Sequence, residues 1–336
     1  MKKQFKRYKP LIFSMAVFCL LVLILVSGMQ VLETLLLPPE QAEAAPPKLT
    51  ITRDGKEYFP RQDITTVLVL GIDRNGPVAD SGSYQNPGAA DLALVLTFDH
   101  AEGTCDVLQL NRDSMVEMPV LGIGGKPAGT DYGQLALCYT YGSGLEDSCE
   151  NAKETVSRLL YGLKIDYYIA MHMDAIPILN DAVGGVTVEV TEDFSQVDAS
   201  IPMGTVTLMG SQAVSFVRSR AGVGDQLNLS RIDRQQAYAQ GFMTAFNEKQ
   251  AKGTRFLLNA YEQASPYFIT DCSATTVNAM VERYGNYKLD RILTPPGENV
   301  MGEQYYEFHI DEEGLEEMIL DLFYAEKEFN VIVDEE

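Results

Sequence analysis

Apolar residues recur along this chain in three rhythms, and each predicts a different element. The first is unbroken. Leu11 to Gly28 carries no charge, and the uncharged stretch continues to Leu32. At about 1.5 Å per residue, such a run is long enough to cross a hydrocarbon core of ~30 Å as a helix. The second rhythm is short and β-branched. Thr65-Thr66-Val67-Leu68-Val69-Leu70 ends at Gly71, as a buried strand should, and Leu92–Phe98, Val107–Leu110, Tyr167–Met171 and Val186–Val190 read as further strands. The third has helical spacing. Glu150–Tyr161 places Ala152, Val156, Leu159 and Leu160 on one side, and Asp174–Val183 is closed by Gly184-Gly185. Ser211–Arg218 and Leu229–Asn247 also read as helices. Strands alternating with helices predict an α/β fold, a three-layer α-β-α sandwich with a central mixed sheet, behind an N-terminal transmembrane helix.

The remaining segments punctuate this pattern. Residues 75–90 and 119–135 are rich in Gly, Pro or polar side chains and read as loops. Residues 33–62 are rich in Pro, Ala and charge and read as a stalk. After residue 250 the pattern changes, with helical stretches near 273–284 and 312–329 divided by Pro295-Pro296-Gly297. The expected organisation is therefore a basic arm at 1–10, an anchor at 11–32, a linker at 33–62, an α/β domain at 63–250 and a C-terminal extension at 251–336.

Charge sharpens the membrane reading. Lys2, Lys3, Lys6, Arg7 and Lys9 precede the apolar run, which favours a cytoplasmic N-terminus and a domain on the outer side of the cell membrane. A cleaved signal peptide is the rival reading, and Ala42-Glu43-Ala44 supplies a suitable pattern. That pattern lies well past an apolar run longer than a signal core, so an uncleaved single-pass anchor is expected. The formal net charge is −21, and beyond the five basic residues of the arm it is −26. A domain this acidic is a poor surface for nucleic acid or for general attraction to anionic lipid, so an anion must be met in a local basic pocket. The five cysteines show no metal-like spacing, and buried free thiols are expected in the domain, with Cys138 and Cys149 the nearest pair if a disulfide forms. Three histidines leave little room for a His-based zinc site or a Ser/His triad.

Two constellations carry chemistry. Asp73, Asp91 and Asp113 each follow or adjoin a predicted strand end, where polar side chains line the ligand crevice of an α/β sheet. Carboxylates gathered there suit Mg²⁺, which shares its oxygen ligands with substrate phosphate. Singly, each is equally a turn or capping aspartate. The second constellation is basic. Residues 165–217 hold no Lys or Arg, and then Arg218, Arg220, Arg231 and Arg234 fall within a few turns of one another. Guanidinium groups match phosphate oxygens with paired hydrogen bonds. The plainer alternative is a solvated helix face paired with Asp225 and Asp233. Together the two sets describe a phosphate or pyrophosphate site. No Walker loop, G-x-S-x-G or H-E-x-x-H accompanies them.

These residues sit in an ordered series. It runs Val67-Leu68-Val69-Leu70-Gly71-Ile72-Asp73-Arg74, Ala90-Asp91, Leu110-Asn111-Arg112-Asp113-Ser114, Tyr139-Thr140-Tyr141-Gly142, Ile165-Asp166-Tyr167-Tyr168 and Asp181-Ala182-Val183-Gly184-Gly185-Val186. It closes with Gly210-Ser211-Gln212-Ala213, Phe216-Val217-Arg218-Ser219-Arg220 and Ser230-Arg231-Ile232-Asp233-Arg234-Gln235-Gln236. The series resembles the LytR-CpsA-Psr family. The resemblance implies a catalytic α/β domain with an apolar pocket for a polyprenyl chain. It implies a phosphotransferase that moves a glycopolymer from a polyprenyl-pyrophosphate lipid to peptidoglycan in cell-wall assembly. By motif position, Asp73 and Asp91 would hold Mg²⁺ (or Mn²⁺). Arg218, Arg220, Arg231, Arg234 and Gln235 would bind the pyrophosphate. Arg112 and Asp113 would be catalytic, Arg112 on the pyrophosphate and Asp113 orienting an arginine or acting as base toward the acceptor hydroxyl. The chain departs from the family pattern at Ala89-Ala90, where Arg-Ser is usual, and at Asn111, where Pro is usual. It departs again at Gln134-Leu135-Ala136-Leu137, where Lys-Ile-Asn-His is usual, and at Asn228, often Asp. A lipid-binding regulatory protein and a polyprenyl pyrophosphate hydrolase are the alternative functions.

Overall fold

The structure, a computed structural model, describes residues 50–219, 222–223, 228–252, 255–273, 276, 279–280, 283–284, 287–303 and 305–326. The expected basic arm and anchor and most of the stalk lie outside the described residues. Among the described residues, no helix is long and apolar enough to cross a membrane.

A short hairpin, β1 (Ile51–Arg53) and β2 (Lys56–Pro60), leads into the core. The core is laid down by β3 (Ile64–Ile72), β4 (Ala90–Asp99) and β5 (Thr104–Leu110), the predicted apolar runs. The hairpin β6 (Met115–Leu121) and β7 (Pro127–Gln134) then precedes α1 (Glu146–Leu159) and β8 (Tyr167–His172). Next come α2 (Ala175–Val183), β9 (Val186–Val190), β10 (Gly204–Leu208), α3 (Ser211–Arg218), α4 (Asn228–Gln250) and α5 (Arg255–Ala264). The chain continues through β11 (Phe268–Thr270), β12 (Lys288–Leu293), β13 (Gly297–Met301), β14 (Tyr306–Ile310), α6 (Glu312–Phe323) and β15 (Tyr324–Glu326).

The central sheet is mixed, with strand order β11-β8-β3-β4-β5-β12. Pairs β3–β8 and β5–β12 are parallel, whereas β3–β4, β4–β5 and β8–β11 are antiparallel. Its middle strands are apolar on both faces because both faces are covered. Val67, Val69, Leu94 and Leu96 pack against α2, α3, α4 and β9. Leu68, Leu70, Ala93 and Val95 pack against α1, α6 and β6. Each such fully buried aliphatic side chain contributes roughly 1.5–3 kcal/mol relative to exposure. The Gly184-Gly185 stop behaves as its spacing predicts. Gly184 takes φ 98°, and the Gly185 N–H donates to the Asn180 carbonyl at 2.9 Å, closing α2 just before β9. Cys105, Cys138, Cys149 and Cys272 are free and buried, and burial pushes the Cys138 thiol up to about 12.

Three stretches differ from the sequence expectation. Residues 119–135, read as a loop, are mostly the β6–β7 hairpin. β7 is exposed along nearly all its length, so it offers no apolar alternation. The linker expected to run to residue 62 ends earlier, because β2 pairs with β15. Residues 251–336, expected as a C-terminal extension, supply both edge strands of the central sheet. The parallel β12 carries a bulge at Asp290-Arg291. There the Arg291 side chain grips buried Asp106 of β5, Nε and Nη2 donating at 3.1 and 2.9 Å. The helix expected at 312–329 ends at Phe323, where the chain turns into β15.

Candidate functional site

Strands β3, β5 and β8 point the same way, so their carboxyl ends and the start of antiparallel β4 lie at one end of the sheet. Asp73 follows β3, His172 ends β8, Asp91 is near the start of β4, and Arg112-Asp113 follow β5. A break in the β3–β4 ladder places Asp91. Gly71 pairs with Leu92 and Ile72 with Ala90, so Asp91 is an extra, bulged residue in the register. The core registers this break. Leu92, Leu94 and Leu96 serve one face and Ala93 and Val95 the other, yet Ala90 joins the second. The bulge thus removes Asp91 from the alternation that would have buried it. The ladder resumes with the Asp73 N–H donating to the Ala89 carbonyl at 2.9 Å.

Each aspartate meets an arginine. Arg218, at the last position of α3, donates from Nη2 to Asp73 Oδ1 at 2.8 Å. Arg112 donates from Nη1 to Asp91 Oδ1 and from Nε to Asp113 Oδ1, the latter at 3.4 Å. Asp113 is further held by Gln134 Nε2 at 2.9 Å, and its own N–H donates to Asn111 Oδ1 at 3.0 Å. Two departures from the family motif therefore have local uses: Asn111 closes the turn around Asp113, and Gln134 orients its carboxylate. Sequence reasoning credited neither, because both tasks depend on contacts made after folding. It also passed over His172 and Arg74. The His172 imidazole is buried, its Nδ1 lies 2.9 Å from the Gly76 carbonyl, and burial lowers its pKa. Arg74 lines a small cavity with His172, Asn86 and Tyr139.

Exposure decides which arginines can meet a ligand. The Arg218 and Asp73 side chains are 47% and 39% exposed. Such a pair is worth only ~0–1 kcal/mol, so a more highly charged phosphate can exchange for the carboxylate. Arg112 and Asp91 are also partly open. Arg234, expected on the pyrophosphate, is placed otherwise. It is 5% exposed, with Nη1 on Glu192, Nη2 on the Ser219 carbonyl and Nε on the Phe216 carbonyl, and it lies over the Phe194 ring. Its donors are engaged in tying α4 to the end of α3, which corrects the expectation that it faces a ligand. Arg220 lies outside the described residues. Arg231 and Gln235 are placed on α4, and their side chains lie outside the described set.

The donor chemistry accommodates a hard divalent cation. Asp73 and Asp91 present carboxylates from neighbouring strands at one edge. Among the described residues, no group of His, Cys, Asp and Glu large enough to enclose a metal converges. On the face of the sheet covered by α2, a groove of about 400 Å³ between α2 and α5 has a mixed lining, apolar at Ile178, Ala182 and Phe256 and polar at Asp181, Lys249, Asn259 and Gln263.

The chain is 27% identical over 197 residues to the polyisoprenyl-teichoic acid–peptidoglycan teichoic acid transferase TagU of Oceanobacillus iheyensis, covering 57% of this chain and 54% of that protein. It is 30% identical over 173 residues to TagU of Enterococcus faecalis, covering 52% and 49%. The chain thus matches about half the length of these curated relatives. Among solved structures, it resembles Bacillus subtilis TagV (TM-score 0.56, 23% identity, 78% of this chain and 96% of that one). It also resembles TagT bound to LI-WTA (TM-score 0.54, 20% identity, 78% and 90%). These likenesses show the same mixed α/β fold. The LytR_cpsA_psr family model matches residues 40–322, and the chain belongs to that family.

Proposed function

We propose that this protein transfers a glycopolymer from a polyprenyl-pyrophosphate carrier to peptidoglycan. In this reading it works outside the cell, as a three-layer domain held to the cell membrane by an anchor at 11–32. The observation that carries the reading is the gathering of Asp73, Asp91, Arg112, Asp113 and Arg218 at one end of the sheet, with Arg218 held by a single exposed carboxylate. The relatives' names, which specify a polyisoprenyl-linked donor and a peptidoglycan acceptor, support the substrate classes.

Arg218 and Arg112 bind the pyrophosphate and neutralise charge that builds on it as the bridging bond breaks. Asp113, oriented by Gln134, accepts the proton of the acceptor hydroxyl. The acceptor oxygen forms a bond to the glycan-side phosphorus, and polyprenyl phosphate leaves. Asp73 and Asp91 are the residues that would hold Mg²⁺ or Mn²⁺, which supplies further charge neutralisation when bound.

The full chain in lipid vesicles, given a polyprenyl-pyrophosphate-linked saccharide and purified peptidoglycan, tests this. Transfer should require divalent cation, and Arg112→Ala or Arg218→Ala should each slow it by roughly 10- to 100-fold, the loss of one charge-assisted contact of ~1.5–3 kcal/mol. Transfer undiminished in both variants would remove the site. Release of phosphate without any acceptor would identify a hydrolase instead.

A further inference from the structure

One exposed surface is not used by the chemistry above. Tyr132, Tyr306 and Met301 are 63%, 64% and 61% exposed, and Tyr305 is 45% exposed. Large apolar side chains left this open and close together mark a surface that meets something. They belong to two hairpins, β6–β7 and β13–β14, that are stitched together. Gln134 Nε2 donates to the Tyr306 carbonyl at 2.9 Å, and Ser114 bridges to Phe308. Tyr132 and Gln134 share one side of β7, two residues apart. Met301 and Tyr306 are direct cross-strand partners. Tyr141 joins the group from beyond β7. Its hydroxyl donates to Asp131, and burial, Asp131 and the nearby Tyr305 push its pKa up to about 12.

This surface is continuous with Asp113. The Gln134 amide that bonds Tyr306 also bonds the Asp113 carboxylate at 2.9 Å. The Phe308 N–H donates to the Asp113 carbonyl at 2.8 Å. The second hairpin is thus built onto the residue placed at the acceptor hydroxyl. We propose that Tyr132, Tyr305, Tyr306 and Met301 form the acceptor platform, on which an uncharged saccharide strand lies with a hydroxyl directed to Asp113. The proposal rests on the transfer reading above and assigns its second substrate a surface.

Ring chemistry and charge select the occupant. A tyrosine has a flat apolar face and a polar edge, which matches a sugar ring with its C–H face and hydroxyl rim. Asp131, which accepts from the Tyr141 hydroxyl beside Tyr305, is an acceptor for those hydroxyls. Strands β7, β13 and β14 contain no Lys or Arg, while Asp131, Glu298 and Glu307 lie on them. Such a surface repels a polyphosphate donor and an anionic bilayer alike. The two substrates are thereby sorted: phosphate to Arg112 and Arg218, uncharged sugar to the tyrosines.

The test uses the full chain with Tyr132→Ser and Tyr306→Ser, singly and together, and Tyr306→Phe to keep the ring. Cosedimentation with purified peptidoglycan is read alongside transfer kinetics in vesicles. The paired serine variant should raise the KM for acceptor by about tenfold or more, leaving kcat and the KM for the lipid donor unchanged, with Tyr306→Phe near wild type. Its cosedimentation should fall by a similar factor. An unchanged acceptor KM and unchanged cosedimentation overturn the proposal, as does loss of vesicle binding or a changed donor KM, which would make this a lipid-facing surface. Cosedimentation needs no turnover. A wild type that binds through these tyrosines yet never transfers overturns the transfer reading and leaves the platform standing.

Discussion

Arg218 and Arg234 carry the same charge in the same stretch of chain, and their surroundings give them opposite work. Arg218 rests on an open carboxylate, whereas Arg234 is buried with Glu192 and two carbonyls. Removing one partner of a buried pair strands the other, so Arg234→Ala should lower unfolding free energy by ~3–5 kcal/mol in a urea titration. Arg218→Ala should change it by under ~1 kcal/mol while lowering transfer. His172 is the second case. Its folded-state pKa is depressed by burial, so the unfolded chain binds the extra proton. The stability this confers is complete above the unfolded value of about 6.5 and is lost as pH falls through the lower folded value. The melting temperature should therefore drop from pH 7 toward pH 5, and His172→Gln should flatten part of the drop. Half-buried His100, shifted in the same direction, keeps some slope in the variant. A slope identical in wild type and variant would count against this account of His172. Asp73 was legible in the sequence because a glycine-ended apolar run marks a strand's end. The fate of Arg234 was not, because a window of arginines says nothing about which of them the next helix covers.

At the scale of elements, legibility followed burial. β3, β4, β5, β8 and β9 announce themselves because covered faces demand apolar residues at regular intervals. β7 and β13 are exposed, and β11 and β15 span three residues each, too few to show a period. The bulge at Asp91 is a one-residue irregularity that periodicity smooths over, although it sets the direction of a candidate ligand. Helix–strand contacts are also tight where sequence gave no notice. Gly241 of α4 faces β9 so closely that an added Cβ would lie 2.3 Å from the Thr187 carbonyl oxygen and 2.9 Å from Val186 Cγ1. Gly241→Ala should therefore destabilise by ~1–3 kcal/mol despite the better helix propensity of alanine. Equilibrium unfolding that finds this variant more stable than wild type would show that α4 can move off β9 freely.

The whole molecule is closed by its last quarter. β11 and β12 complete the central sheet, α6 fills the core on the α1 side, and β15 pairs with β2 near the start of the described chain. A boundary drawn at residue 250 follows a change in sequence texture, yet these long-range pairings cross it. A chain ended there would expose Leu68, Leu70 and their neighbours where Leu315, Ile319 and Phe323 now pack. It should show no cooperative thermal transition and should be cut rapidly by protease. A folded, protease-resistant product would make the C-terminal quarter an accessory after all.

The β12 bulge has a consequence in time. During synthesis β5 is complete long before Lys288 exists, and at roughly 5–20 residues per second the interval lasts on the order of 10–35 s. For that period the outer edge of β5 is an unmet ladder of N–H and C=O groups, open to any stray strand. Asp106 sits midway along it, and a carboxylate there makes a foreign strand an unwelcome neighbour. Only β12, bulged to bring Arg291 across, answers both the ladder and the charge. The ion pair that fastens the finished sheet is also a lock that keeps the nascent one waiting for its own key.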